Sequence, residues 1–139
     1  MLRVTADTNV LISGLNFRGK PFQILTLARE CKINLTISDA ILDEMADVLA
    51  RKFDFTPEDI TEARRRVASM ARIVKPAVQL EVITEDPPDN RILECAVAAG
   101  SHFIVTGDKD LLRLGRYDSV RIVTPSAFLD LVQAQGRER

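Results

Sequence analysis

The residues best suited to chemistry in this sequence are acidic, and two of them follow apolar stretches. Asp7 comes directly after Leu2–Ala6, and Asp108 comes shortly after His102–Thr106. Both stretches have the apolar character of β-strands. Because the functional crevice of an open parallel sheet lies beyond the carboxyl ends of its strands, we expect Asp7 and Asp108 on the same edge of a sheet.

Two further acids are placed by the apolar faces of predicted helices. Asp89 stands three, four, seven and eight residues before Ile92, Leu93, Ala96 and Val97. It therefore shares their helical face. A carboxylate there loses hydration, at a cost of roughly several kcal/mol, unless a partner group compensates. Arg91 and Glu94 are expected to face solvent. Glu44 lies at the Val48 edge of its own helix's apolar stripe, whereas Asp43 and Asp47 point away.

Each acid alone has an ordinary structural explanation: Asp7 as a turn former, Glu44 as a solvated residue, Asp89 as a first-turn helix acid and Asp108 as a helix cap. A shared site explains all four together. Two unit charges about 4 Å apart repel by about 4 kcal/mol at an effective dielectric constant near 20, so such a cluster needs cations.

Carboxylates without accompanying histidine or cysteine favour Mg²⁺ or Mn²⁺ over zinc. These ions suit phosphodiester hydrolysis, because they activate water and neutralise the phosphate. The chain has one histidine, His102, which leaves little material for a histidine-based ribonuclease mechanism.

Composition limits the classes of partner. The chain of 139 residues has a net charge of -1, with 46% hydrophobic and 28% charged residues. We expect one globular domain spanning residues 1–139, with any nucleic-acid contact local. No apolar run approaches the roughly 20 residues of a membrane span, so we expect a cytoplasmic protein without membrane contact. Cys31 and Cys95 are expected within helices, buried and reduced.

Predicted strands alternate with predicted helices along the chain. Strands are expected at residues 2–6, 35–37, 81–83, 102–106 and 120–123, and helices at about 21–32, 39–52, 57–75, 89–99, 108–114 and 125–133. This alternation predicts an α/β fold with a mostly parallel central sheet between helices.

Taken together, these motifs resemble the PIN-domain family over essentially the whole chain: Asp7-Thr8-Asn9, Glu44, Asp89-Asn90 and Thr106-Gly107-Asp108. The resemblance implies a three-layer α/β/α sandwich and Mg²⁺- or Mn²⁺-dependent endoribonuclease activity. For small bacterial members it implies a VapC-like toxin that pairs with an antitoxin. A homodimer is also implied, with some support from apolar residues of the last helix: Phe128, Leu129, Leu131 and Val132.

Carried over to this sequence, the resemblance gives roles to individual residues. Asp7, Glu44, Asp89 and Asp108 fall on the family's acidic positions and are implied catalytic and metal-binding residues. The expected polar supports are Asn9 and Thr106, together with two extra acids, Asp86 and Asp110, that leave the third and fourth metal ligands open. Candidates for binding RNA phosphates are Arg18, Lys20 and Lys109. The triplet Arg64-Arg65-Arg66 is interpreted as a solvated helix face.

Two other functions remain open at this point. A haloacid-dehalogenase-like phosphatase could use Asp7, Ser38 and Gly107-Asp108, but such an enzyme needs a second aspartate where this chain has Asn9, and asparagine cannot transfer the proton. A noncatalytic RNA-binding domain is the second alternative, although the presence of all four acids argues against it.

Overall fold

The computed structural model describes residues 1–137. Its strands are β1 (Arg3–Ala6), β2 (Asn34–Ser38), β3 (Ala71–Val74), β4 (Phe103–Val105), β5 (Arg116–Tyr117) and β6 (Val120–Val123). Its α-helices are α1 (Thr8–Asn16), α2 (Lys20–Arg29), α3 (Asp39–Phe53), α4 (Pro57–Met70), α5 (Asn90–Ala99), α6 (Lys109–Leu114) and α7 (Pro125–Arg137), and a 3₁₀ turn covers Pro87–Asp89.

One six-stranded sheet has the strand order β3-β2-β1-β4-β6-β5. Every neighbouring pair is parallel except β5 with β6. Val4 and Ala6 of β1 and Ile104 of β4 are fully buried, because the two central strands are covered by helices. The α/β fold with a mostly parallel sheet between helices is confirmed.

Local sequence signals account for where several helices begin and end. Ser38 begins α3, with its hydroxyl accepting a hydrogen bond from the Ile41 N–H at 3.3 Å. Thr56 and Asp59 form a reciprocal capping box at the start of α4, with N···O distances of 3.0 and 3.1 Å. Gly100 ends α5 with a left-handed φ of 62°.

Some predicted elements were wrong. Residues 81–83 form no strand, and the segment 75–86 has no regular secondary structure. The long mid-chain helix ends at Met70, because the next four residues pair with β2 as β3. Helix α1 and the short strand β5 were not anticipated. Strand β3 forms by pairing with β2, which is distant in the sequence, whereas β5 pairs with the nearby β6.

The two cysteines differ. Cys95 is buried in α5, as expected, whereas Cys31 is exposed and lies just after α2 with a φ of 58°. A left-handed residue cannot continue a helix, so the prediction of a buried helical Cys31 was wrong.

Helix α7 packs on the chain's own core. The Phe128 ring is fully buried and meets the Phe103 ring edge-on, with centroids 5.8 Å apart. Leu129, Leu131 and Val132 are partly buried against the same core. Phe128 is therefore not available for a dimer contact. Among the described residues, no helix is both long enough and apolar enough to cross a bilayer.

Candidate metal centre

A small cavity of about 60 Å³ opens at the carboxyl ends of β1 and β4. Its walls are Asp7, Thr8, Asn9, Glu44, Asp86, Asp89, Ile92 and Asp108. The four acids singled out in the sequence thus lie around one cavity, together with Asn9 and Asp86. Among the described residues, four larger hollows are lined by two acids at most.

Asp7 is held rigidly at the base of this cavity. Its side chain is the N-cap of α1, because Oδ1 accepts a hydrogen bond from the Val10 N–H at 3.0 Å. Oδ2 accepts a hydrogen bond from the Thr106 hydroxyl. Burial raises the pKa of Asp7, the bonds from Thr106 and Val10 oppose that rise, and the charge of Asp108 adds to it.

Thr106 connects Asp7 to Asp108. The fully buried Thr106 hydroxyl donates to Asp7 and accepts a hydrogen bond from the Asp108 N–H at 2.9 Å. Asp108 Oδ2 then accepts from the N–H groups of Asp110 and Leu111, at 3.1 and 3.0 Å, and caps α6. Asp108 is therefore a helix cap and a wall of the cavity at once, with Oδ1 free of those capping bonds.

Among these acids, Asp89 has the environment that most disfavours a negative charge. Its Oδ2 atom is buried and has no hydrogen-bond partner among the described residues. Burial, followed by the adjoining carboxyl of Asp108 and the charges of Asp86 and Asp7, raises the pKa of Asp89 to about 8. A buried oxygen without a partner is costly unless something binds it. A divalent cation fits this position, because it satisfies the oxygen and offsets the repulsion.

Four carboxyl groups are especially close. One oxygen each from Asp86, Asp89, Asp108 and Asp110 lies within 4.8 Å of the other three. Asp110 also forms an ion pair with Arg113 at 3.1 Å. The two extra acids named from the sequence, Asp86 and Asp110, therefore adjoin Asp89 and Asp108, while Asp7 and Glu44 line the cavity outside this group. An all-carboxylate donor set suits Mg²⁺ or Mn²⁺.

Glu44 stands at the exposed rim. Its Oε2 accepts a hydrogen bond from the Thr8 hydroxyl at 3.2 Å, which links α3 to the start of α1. Partial burial raises the pKa of Glu44, the Thr8 bond opposes the rise, and the charges of Asp7 and Asp86 add to it. Its helical position beside the apolar stripe is what directs it to the cavity, since its neighbour Met45 is fully buried.

The basic residues predicted to bind RNA phosphates differ in their distance along the chain from the acids of the cavity. Arg18 stacks on the Phe22 ring at 5.4 Å and Lys20 binds the Ser126 hydroxyl at 2.7 Å, and neither lines the cavity. Lys109 is exposed and directly follows Asp108. On α4, Arg64 pairs with Asp43 at 3.0 Å and Arg65 pairs with Glu62, as expected for a solvated face.

Three residues of α5 were misjudged or missed. Glu94 was expected to face solvent, yet it is 8% exposed and accepts a hydrogen bond from the Leu80 N–H at 2.7 Å. Asn90 was noted only as part of a motif, and it is 3% exposed. In the sequence, the single signal for Asn90 is its position beside Asp89. Val97, assigned to the apolar face, is 41% exposed.

The phosphatase alternative lacks a usable second group. Ser38 is 1% exposed, and its hydroxyl caps α3. It does not line the acidic cavity. A phosphate-binding role for Ser38 would require this buried hydroxyl to become accessible.

Comparison with known proteins bears on the family and the fold. The PIN-domain family model matches residues 3–110, which include all of the acids named above. No curated protein matches the chain by sequence. Among solved structures, a chain of the VapBC2 complex from Rickettsia felis bound to a DNA fragment from their promoter is similar. It has a TM-score of 0.63 and 14% identity, and the match covers 87% of this chain and 97% of that chain.

Proposed function

We propose that this chain, which belongs to the PIN-domain family, is a Mg²⁺- or Mn²⁺-dependent endoribonuclease. The observation that carries the proposal is the buried, unpartnered Asp89 Oδ2 among the carboxyl groups of Asp7, Asp86 and Asp108. A bound divalent cation would relieve both the missing partner and the like-charge repulsion while the carboxylates stay ionised.

Asp7, Asp89 and Asp108 are proposed to hold one or two ions, and Asp86 and Asp110 are close enough to complete the set. A bound divalent ion supplies a more acidic water, neutralises the phosphate and stabilises the leaving oxygen. The protein itself keeps the carboxylates aligned through Thr106 and the helix caps. Among the described residues no histidine lines the cavity, so the proposed mechanism leaves proton transfer to carboxylates and water.

Glu44 is proposed to orient the attacking water and accept its proton, or to bind a second ion. Its Oε2 is engaged by Thr8, and Oε1 is not used in that bond. The raised pKa of Glu44 makes it a stronger base than an ordinary surface glutamate. Its place at the exposed rim suits contact with water and with an incoming RNA strand.

RNA is proposed as the substrate, with Lys109 as the residue best placed to contact a phosphate beside the cavity. Arg18 and Lys20 stand as outer phosphate contacts. A toxin role with a cognate antitoxin, a homodimeric state and a cytoplasmic location are proposed on the likeness to a chain of the VapBC2 complex and on the family resemblance. Light scattering of the purified chain, alone and with the product of an adjoining small gene, tests the homodimer and the pairing with an antitoxin.

The metal proposal is tested by titrating Mn²⁺ into EDTA-treated protein while following thermal unfolding. Wild type should be stabilised increasingly as the Mn²⁺ concentration rises above the dissociation constant, and Asp7→Asn and Asp89→Asn should weaken the effect. Asp43→Asn is the matched control, since Asp43 is an exposed acid next to Glu44 and is paired with Arg64.

The nuclease proposal is tested with the same variants on mixed RNAs in Mg²⁺ or Mn²⁺. Wild type and Asp43→Asn should cleave, and Asp7→Asn and Asp89→Asn should not. Undiminished cleavage by Asp7→Asn would overturn the assignment of the site. Stabilisation by Mn²⁺ with no cleavage of any RNA would favour the noncatalytic alternative.

A further inference from the structure

Asp86 reaches the acidic cavity from a segment that has no secondary structure of its own. Residues 75–86 form neither helix nor strand, and most of their side chains are exposed. The Asp86 carboxyl nevertheless lies within 4.8 Å of those of Asp89, Asp108 and Asp110, which repel it. One backbone bond, from the Asp89 N–H to the Asp86 carbonyl at 3.0 Å, fixes the end of this segment, and other contacts must hold the rest of it.

The Asn90 side chain makes most of the contacts that hold this segment. Its side-chain oxygen accepts hydrogen bonds from the N–H groups of Val82 and Ile83, both at 2.9 Å. Its side-chain nitrogen donates to the carbonyls of Ile83 and Pro87, again both at 2.9 Å. An amide side chain has two donors and an acceptor oxygen with two lone pairs, so every capacity is used. Aspartate lacks the donors, and glutamine is longer by one methylene group.

A second group of hydrogen bonds fixes Leu80. The Glu94 Oε2 atom accepts hydrogen bonds from the Leu80 N–H and from Arg91 Nη2, both at 2.7 Å. Arg91 Nη2 also donates to the Leu80 carbonyl at 3.2 Å. Side chains of α5 thus satisfy both backbone polar groups of Leu80, as a neighbouring strand would.

The residues fixed by these hydrogen bonds lie on both sides of Asp86 in the sequence. Asp86 lies between Ile83 and Pro87, both of which are bonded to Asn90, and Pro87 and Pro88 stiffen the chain toward Asp89. We propose that Asn90, aided by the Arg91–Glu94 pair, is a positioning residue that holds Asp86 in the metal centre without touching the ion or the RNA. This inference rests on the proposed function, since it presumes that the acidic cavity binds a divalent ion.

Mn²⁺ affinity, measured by electron paramagnetic resonance of free Mn²⁺, provides the test. Asn90→Ala should weaken binding by about 10- to 100-fold, the usual effect of removing a partner that orients a ligand. In an Asp86→Asn background the same change should weaken binding further by no more than about twofold, because the acid that Asn90 positions is already lost. An equal loss in both backgrounds would overturn the inference.

Two further measurements test the contacts of Asn90 and separate its proposed role from a general effect on stability. Hydrogen exchange should show lost protection at the amides of Val82 and Ile83 in Asn90→Ala, and unchanged protection would overturn the inference. Val67→Ala, which truncates a fully buried side chain of α4, should lower stability and leave Mn²⁺ affinity unchanged. Equal weakening by Val67→Ala would likewise overturn it.

A replacement variant and the wild-type measurement make every outcome of the test decisive. If Asn90→Ala does not fold, Asn90→Ser replaces it, because serine keeps a small polar group in the buried position while reaching fewer of the four partners. Wild type that binds no Mn²⁺ would overturn the proposed metal site, and the inference with it. Wild type that binds Mn²⁺ with an Asn90 variant of equal affinity would overturn only the inference.

Discussion

The Thr106 hydroxyl donates a hydrogen bond to Asp7 Oδ2 and joins β4 to the end of β1 at the acidic cavity. The same hydroxyl accepts from the Asp108 N–H at 2.9 Å. One buried threonine therefore sets the relative position of two of the proposed metal ligands. It also opposes the rise in the pKa of Asp7 that burial causes.

Thr106→Val should consequently impair the site more than its small change in shape suggests. Loss of the buried bonds should lower the free energy of unfolding by about 1–3 kcal/mol. The pKa of Asp7 should rise further, so Mn²⁺ binding and RNA cleavage should require a higher pH. Thr106→Ser keeps the hydroxyl and should restore both pH profiles. Identical profiles for Thr106→Val and wild type would contradict this role.

Stability of the metal-free protein should fall as pH rises. The pKa of Asp89 is raised from 3.8 to about 8, so between these values the folded protein retains a proton that the unfolded chain releases. Asp89 therefore favours folding least above pH 8. Asp89→Asn, which resembles the protonated acid, should raise the melting temperature in EDTA more at pH 8 than at pH 5. An equal shift at both values would show that Asp89 does not carry this dependence.

Gly14 should not tolerate a methyl group, because α1 and α2 approach closely there. An added Cβ would lie 2.5 Å from Leu25 Cδ1 and 3.1 Å from the Pro21 carbonyl oxygen. Alanine favours helix by about 1 kcal/mol, but overpacking costs about 1–3 kcal/mol, so Gly14→Ala should be destabilising in urea denaturation. At Gly107 an added Cβ meets nothing within 4 Å, and Gly107→Ala should leave stability nearly unchanged.

The two thiols should react at very different rates. Cys31 is exposed, whereas burial raises the pKa of Cys95 to about 12. Because the thiolate is the reactive form, a disulfide reagent at pH 8 should modify one cysteine in the native protein and two in denaturant. Cys31→Ser should abolish the native reaction. Rapid modification of Cys95 in that variant would mean that α5 opens readily.

Lys109 should contribute to RNA binding through charge. Lys109→Ala, assayed in an inactive Asp7→Asn background, should weaken binding of several RNA sequences alike and reduce the slope of log affinity against log salt concentration by about 1. Arg65→Ala is the control, since Arg65 is paired with Glu62 on α4. Equal effects of the two changes would place the RNA path across α4 instead.

Local rules explain which parts of the site were visible in the sequence. Asp7 and Asp108 were located because apolar strands end just before them, and parallel strands end at one edge. Glu44 was separated from Asp43 by helical angle alone. Asp110 and Asp86 were noticed only as extra acids, because nothing local shows that the start of α6 and the segment before Pro87 converge on Asp89.

The segment 75–86 shows most clearly where local rules fail. Glu81, Val82 and Ile83 have the composition of a strand, yet the Val82 and Ile83 N–H groups bond to Asn90 rather than to another strand. Glu94 has the spacing of a solvated helix residue, yet it is buried beneath Leu80. Both outcomes depend on the segment 75–86, whose backbone bonds to side chains of α5.

The sequence by itself determined the class of fold, the edge of the sheet at which the acids gather and the kind of ion that such acids would bind. These follow from periodicity, strand ends and ligand chemistry, which are properties of short stretches. Only the tertiary structure decided that Asp86 and Asp110 adjoin Asp89, that Thr106 bonds to both Asp7 and Asp108, and that Asn90 bonds to the backbone of Val82 and Ile83. Those relations join residues distant in sequence or side chains to an irregular backbone, and they depend on packing that no short stretch encodes.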